Sequence, residues 1–435
     1  MSGLCVIRAP RRGARARLAA VGVWLVLVGM NTGCVPTAPP VEDRPSDSGS
    51  TPSPSPTAMA GEGWIAYATY GPPEDIYFVK AGSAPRMVLE SDGASRGQVC
   101  PAFSPDGTRL ASGQGGYGQQ GPKDGALVIT DLTAEGDVAA SEVIPLGGLF
   151  QQPCPIWSPD GRWVAFGVGS MANVHTWAYG VARGVWVFDT ETGEVRRLQG
   201  RLAATDIEWA ADSSQMYIAA AEGILIYSIA DDQTRTLDDS RGAVALSASP
   251  DGGSLAVERR RDGPVGLTDH FEQLLMNVDG TDRRLLIEDY AHNRGIGPVW
   301  SPDGNRIVFQ GGEGAPLGFS YGETFTDGEK DEVIIVTVGD DDPLGPAGTQ
   351  TVLAPIETTD SGATRHWLPA TVSWSPDSAA LRFVGWELLP AGGPASSALL
   401  AVAVDGTAAP TILWEGSAAG PAMSIPQNDF QSWSP

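Results

Sequence analysis

The sequence predicts an all-β protein, a seven-bladed β-propeller in which one blade is shared between N- and C-terminal strands. Three observations carry this reading. A five-residue unit, [FW]-S-P-D-G, occurs in full at Phe103, Trp157 and Trp300. Each copy heads a group of short runs with strand-like alternation. The chain then stops on the first letters of one more copy, Trp433-Ser434-Pro435.

The unit has a physical logic. Ser at the first turn position, Pro at the second and Gly at the fourth are the preferences of a type I turn. Apolar alternation on both sides makes it a tight β-hairpin. Degenerate copies are WAADSS at Trp209, ASPDGG at Ala248 and WSPDSA at Trp374, and the final WSP brings the total to seven. After Trp157 come WVAFGV, GVWVFDT and EVRRL; after Trp209 come QMYIAA, GILIYSIA and QTRTL. Four short antiparallel strands per unit, at intervals of roughly forty to seventy residues, describe a propeller blade.

The first folded segment, GWIAYATY from Gly63, has no turn unit before it. With DIYFVK at Asp75 and RMVLE at Arg86 it supplies strands two to four of a blade. The innermost strand of that blade is DFQSWSP, residues 429–435, so the two ends close the ring. Six or eight blades are the alternatives, because the stretch from Asp303 to Asp377 is long. It holds only EVIIVTV at Glu332 and TVLAP at Thr351 beyond its hairpin, and reads as one blade with long loops. The aromatics at Phe103, Trp157, Trp209, Trp300, Trp374 and Trp433 are expected to pack between blades. These repeats resemble the WD-like WSPDG repeats of TolB-like propellers, from about Gly61 to the C-terminus. The resemblance implies a fold; propellers host many unrelated activities, so it names no function.

Composition agrees. Across 435 residues there are 55 glycines and 34 prolines, with 18% charged residues, which favours a turn-rich β protein. The formal charge of −24 speaks against a nucleic-acid partner, which needs clustered Lys and Arg. Residues 1–33 read as an export signal: five arginines, no acidic residue, then the apolar run LAAVGVWLVLVGM. That run is short for a membrane span. Thr32-Gly33-Cys34 resembles the lipobox of bacterial lipoproteins, with Asn31 where Leu is usual, which implies a lipid on Cys34. Residues 34–60, crowded with Pro, Ser and Thr, cannot bury enough surface to order themselves and read as a tether. The propeller then occupies 61–435. Removing the signal takes five positive charges from −24 and leaves −29.

Within a blade whose strands run A to D outward, A–B and C–D turns share one face, and B–C loops and D–A crossovers share the other. The B–C loops are expected to be long in five blades, starting at Gln114, Gly169, Arg259, Gly311 and Trp386. They carry Tyr117, Trp177, Tyr179, Phe319, Tyr321, Phe325 and Trp386. Long loops on a rigid scaffold commonly carry function, and such aromatics suit protein or glycan contacts or pack the loops themselves. All four histidines map to the same face, His175 and His270 in B–C loops, His292 and His366 in crossovers. They supply an alternative reading, a metal-assisted enzyme at the channel mouth. Some propeller lyases acting on pectic oligosaccharides resemble this fold and use such histidines, but no local motif here carries a ligand position over.

Other signatures are weaker. Gly93 to Gly97, GASRG, has the letters of a hydrolase elbow but not the strand-to-helix context. No motif asks for a cofactor, and no phosphate-binding loop occurs. Asp340–Asp342 and Asp327 to Glu332 lack a calcium-loop pattern and read as solvated turns. Cys100 and Cys154 stand at the same place in consecutive repeats, CPAFSPDG and CPIWSPDG. In a seven-fold ring, neighbours are separated by about 0.87 of their distance from the axis. A disulfide is therefore possible if both Cα atoms lie within about 8 Å of it, and export favours the bond; two small buried thiols are the alternative. The reading is thus a lipid-anchored propeller at the cell surface or in the periplasm, binding a protein or glycan.

Overall fold

The computed structural model describes residues 64–433, except 70–74, 81–82, 92–96, 116–124, 147–153, 170–181, 199–203, 221, 262–269, 292–296, 313–330, 340–341, 343–346, 354–355, 361–362, 389–393, 407 and 417–431. The chain divides into two units, Met1–Ser55 and Pro56–Pro435, and all described residues belong to the second. The expected signal, Cys34 and tether lie outside the described residues. Those described contain strands and turns; no helix among them is long and apolar enough to cross a membrane.

Seven blades surround an axis. Blade 1 holds β1 (Ile65–Ala68), β2 (Ile76–Val79) and β3 (Arg86–Leu89). Blade 2 holds β4 (Gly97–Phe103), β5 (Arg109–Gly115), β6 (Ala126–Leu132) and β7 (Val138–Pro145). Blade 3 holds β8 (Cys154–Trp157), β9 (Trp163–Gly169), β10 (Ala182–Asp189) and β11 (Val195–Arg197). Blade 4 holds β12 (Ala204–Trp209), β13 (Gln215–Ala220), β14 (Gly223–Ser228) and β15 (Gln233–Thr236). Blade 5 holds β16 (Ala243–Ala248), β17 (Ser254–Arg260), β18 (His270–Asn277) and β19 (Arg284–Ala291). Blade 6 holds β20 (Val299–Trp300), β21 (Arg306–Gly312), β22 (Asp331–Thr337) and β23 (Gln350–Leu353). Blade 7 holds β24 (Glu357–Asp360), β25 (Ala363–Trp374), β26 (Ala380–Leu388), β27 (Pro394–Ala403) and β28 (Thr411–Gly416).

The last strand, β29 (Ser432–Trp433), pairs antiparallel with β1, Ile65 opposite Trp433 and Ala66 opposite Ser432. That register repeats the one inside other blades, where Leu110 faces Phe103 and Val164 faces Trp157. Blade 1 is therefore completed by the far end of the chain, and the described residues from Asp303 to Asp377 form no eighth blade.

The turn unit works through its serine. Ser104, Ser158, Ser249, Ser301 and Ser375 are all buried. Each hydroxyl accepts the N–H five residues on at 2.9 Å and donates to the turn aspartate at 2.5–2.6 Å. The aspartate accepts the N–H two residues further on. These bonds, the serine hydroxyl first, hold the Asp251 and Asp377 carboxyls below their ordinary values. Gly107, Gly161, Gly252 and Gly304 take φ between 67° and 74°, which glycine adopts without strain. In two degenerate copies a serine stands there at positive φ, Ser213 and Ser378. Their hydroxyls accept the N–H groups of Asp160 and Asp303, each from the turn of the preceding blade.

Blades dock through the repeated tryptophan. Trp157, Trp209, Trp300 and Trp374 are buried, and each indole Nε1 donates to a carbonyl on the innermost strand of the blade before it. The acceptors are Ala102, Ile156, Ser247 and Val299, at 2.9–3.1 Å, all two residues before the turn's first residue. Phe103 lacks a donor and meets Phe78 of blade 1 instead, ring centroids 5.0 Å apart. The apolar core thus lies between blades, as in the cluster joining Val185 and Val187 of blade 3 to Trp209 and Ile218 of blade 4.

Four placements correct the sequence reading. His270 opens β18 and Trp386 lies within β26, both in strands rather than in B–C loops. His366 lies within β25 rather than in a crossover, because residues there pair with β24 on one side and β26 on the other. Asp342 is no solvated turn residue. Its side chain is fully buried, with Oδ2 3.0 Å from Arg306 Nε, an ion pair without hydrogen-bond geometry.

Candidate functional site

The two ends of the ring differ. A–B connections are five residues long in each of blades 2 to 7. B–C connections run to ten, twelve, nine and eighteen residues in blades 2, 3, 5 and 6. In blade 7 the loop expected from Trp386 is short, because its strands continue further. That end of the molecule therefore has four long loops and one raised blade.

The innermost strands form a collar beneath it. The positions four residues before the first turn residue are Cys100, Cys154, Asp206, Ala245, Gly297 and Thr371. Neighbours approach closely at this level. Cys100 and Cys154 form a disulfide with Cα atoms 5.0 Å apart, tying blade 2 to blade 3. By the ring relation, that spacing puts these Cα atoms about 6 Å from the axis. Asp206 Oδ2 accepts the Leu246 N–H at 2.9 Å, linking blade 4 to blade 5. A Cβ on Gly297 would lie 2.6 Å from Ala245 Cβ, so only glycine fits between blades 5 and 6 here. Four of these strands carry a bulge at this level, between Val99 and Ala102, Ala204 and Asp206, Ala243 and Ala245, and Pro369 and Thr371. The bulges re-aim the chain as it enters the ring.

The disulfide closes a 54-residue separation, worth about 4 kcal/mol by the loop-entropy argument. Peptide mapping without reduction is expected to recover Cys100 and Cys154 as one cross-linked pair. Their recovery as two separately alkylated peptides would refute the bond.

Blade 7 rises above the collar. The long strand β25 pairs with β24 over Ala363–His366 and with β26 from His366 to Trp374. Trp367 is buried and donates to Thr358 Oγ1 at 2.8 Å, fixing β24 to the blade. Arg365 stacks 4.5 Å above the Trp367 ring. It donates to both oxygens of Glu387 at 2.8 Å and to Glu415 at 2.9 and 2.5 Å, and these bonds raise its pKa, Glu415 contributing most. His366 Nδ1 lies 3.0 Å from Glu357 Oε1.

Between blades 5 and 6, below the same end, Glu258 and Gln273 are fully buried. Tyr290 donates to Glu258 at 2.5 Å and accepts from Gln273 Nε2 at 2.7 Å. Burial, then the Glu258 charge, push the Tyr290 phenol well above its ordinary pKa. Sequence reasoning missed this group, the Arg365 clamp and Asp206. For β24 a signal exists: Thr358-Thr359-Asp360 and Ala363-Thr364 flank Ser361-Gly362, a hairpin pattern.

Of the expected binding aromatics, Tyr117, Trp177, Tyr179, Phe319, Tyr321 and Phe325 lie outside the described residues, and Trp386 is placed by its backbone in β26. His175 and His292 also lie outside them. His270 and His366 are exposed on blades 5 and 7, and no group of three or more His, Cys, Asp or Glu among the described residues could hold a metal. Ser95 lies outside the described residues as well.

No protein-family model and no curated protein matches the chain. Solved structures do. Hydrazine synthase from Kuenenia stuttgartiensis aligns at 14% identity over 70% of this chain and 76% of its own, with a TM-score of 0.44. A structure described as TolB from Agrobacterium tumefaciens aligns at 14% identity over 80% and 91%, with a TM-score of 0.38. The β-propeller domain of the Trilobed protease from Pyrococcus furiosus aligns at 15% identity over 74% and 86%, with a TM-score of 0.43. At such identities the likeness is one of fold alone.

Proposed function

We propose that this protein is a lipid-anchored, extracytoplasmic propeller that binds a protein or glycan partner through its loop-rich face. One observation carries the reading: the ring is uniform at one end, with six five-residue turns, and elaborated at the other. Uniform turns suit a scaffold, whereas long connections on such a scaffold are where binding residues commonly sit. The sequence of residues 1–60 supports export and a lipid on Cys34, followed by a tether that would hold the ring clear of a membrane.

The test has two arms. Wild-type protein is expected in the membrane fraction and Cys34→Ser in the soluble one; soluble wild type after export would sink the anchor. Affinity capture from envelope extract should recover one partner with the full chain. It should fail once residues 313–330 and 170–181 are replaced by short Gly-Ser linkers. Capture that survives both replacements places binding elsewhere. The metal-assisted reading makes a separate demand: a stoichiometric metal in the purified protein, lost when the four histidines are substituted.

A further inference from the structure

We propose that the free edge of β24 takes up an extended, cationic peptide segment of the partner as an added β-strand. The inference rests on the reading of the loop-rich face as the binding face, and it names the class of ligand and the place.

The geometry begins with the strand order β24-β25-β26-β27-β28. Strand β25 is the innermost of blade 7, so a strand on its other edge lies on the axis side. Thr371 of β25 belongs to the collar, and His366, opposite Glu357, is five residues further along. At about 3.3 Å per residue this sets β24 roughly 16 Å above the collar. At the collar itself, backbone about 6 Å from the axis leaves no room for another strand, since paired strands need about 4.8 Å. Above it, no strand among the described residues occupies the axis side of β24.

The register says which groups are on offer. Trp367 N–H donates to Ile356 O at 2.9 Å, so that pair is hydrogen-bonded. Antiparallel pairs alternate, which makes Thr358 with Arg365 and Asp360 with Ala363 the other bonded pairs. The N–H and C=O groups of Glu357 and Thr359 therefore point to the outer edge, where no strand pairs with β24 among the described residues. Side chains alternate as the mode requires: Thr358 is buried and Thr359 exposed. An edge of this kind is a template for strand addition.

Charge selects the partner. Glu357 and Asp360 sit on β24 itself, and Glu387 and Glu415 stand on the strands behind it. Of the basic groups beside this edge, Arg365 is held by Glu387 and Glu415, and His366 lies 3.0 Å from Glu357. On a chain of formal charge −24 this edge repels acidic segments, including copies of its own strand, and matches a strand carrying Lys or Arg.

The test uses the full chain in mild detergent and fluorescently labelled eight-residue peptides of alternating lysine and valine, with a glutamate-valine peptide as counterpart. The lysine peptide should bind at least tenfold more tightly than the glutamate one. Thr359→Pro removes only an outward N–H, a change edge strands accept, and should weaken binding at least tenfold with an unchanged melting temperature. Thr359→Ser should bind as wild type. Glu357→Lys with Asp360→Lys should reverse the peptide preference, which keeps the proposal open to refutation if the proline variant misfolds. Equal binding to wild type and Thr359→Pro, or no binding of the lysine peptide, overturns it. If affinity capture of the partner still succeeds in that case, the strand-addition inference falls alone and the binding-face reading stands.

Discussion

Deleting residues 429–435 is expected to lower the melting temperature by several degrees and to broaden the transition. The deletion removes β29, the innermost strand of blade 1. What remains is β1, whose four residues are all buried in the intact ring, now standing as an unpaired edge beside the axis. Ile65 and Tyr67 lose cover. Each apolar side chain of that size is worth roughly 1.5–3 kcal/mol when fully buried, so the two together put the loss on the order of 3–6 kcal/mol. The neighbouring seam would feel it too, because Tyr67 stacks between Tyr77 of its own blade and Trp414 of blade 7, at 5.6 and 5.3 Å. Differential scanning calorimetry of full and truncated chains is the measurement. An unchanged melting temperature would show that the ring does not depend on closure by its two ends.

How much of this was legible beforehand follows from where the information lies. The turn unit encodes its own hydrogen bonds: a serine whose hydroxyl bridges to the aspartate two residues on and to the N–H five residues on needs those residues at that spacing. That local code, complete in five turns and degenerate or cut short in two more, reveals blades, their number and the closing register. The adjacency of Cys100 and Cys154 was readable for the same reason, since equivalent places in consecutive blades must be neighbours at one radius. The raised part of blade 7 was not, because it breaks the repeat. The buried group of Glu258, Gln273 and Tyr290 was invisible in principle: its members are 15 to 32 residues apart and meet through strand register alone. Asp342 misled for the opposite reason. Three consecutive aspartates look like a solvated turn, and nothing local shows that Arg306 reaches one of them from β21.

The interblade tryptophans allow the energetics to be separated into packing and hydrogen bonding. Trp209→Ala is expected to cost roughly 3–5 kcal/mol, the range for truncating a buried Trp. The site justifies that figure: Trp209 is 3% exposed and packs among Val185, Val187 and Leu198 of the preceding blade and Met216 and Ile218 of its own. Trp209→Phe keeps most of that contact and removes the Nε1 bond to Ile156 O at 3.1 Å. Its cost should be nearer 1 kcal/mol, the net worth of one hydrogen bond. Ile156 sits in a paired strand opposite Ala165, which limits the penalty of losing the indole. Blade 2 supports the smaller figure, since Phe103 occupies the same place without a donor and is 6% exposed. Urea unfolding of the two variants beside wild type measures both values. If alanine and phenylalanine destabilise equally, the indole hydrogen bond rather than its bulk holds the blades together.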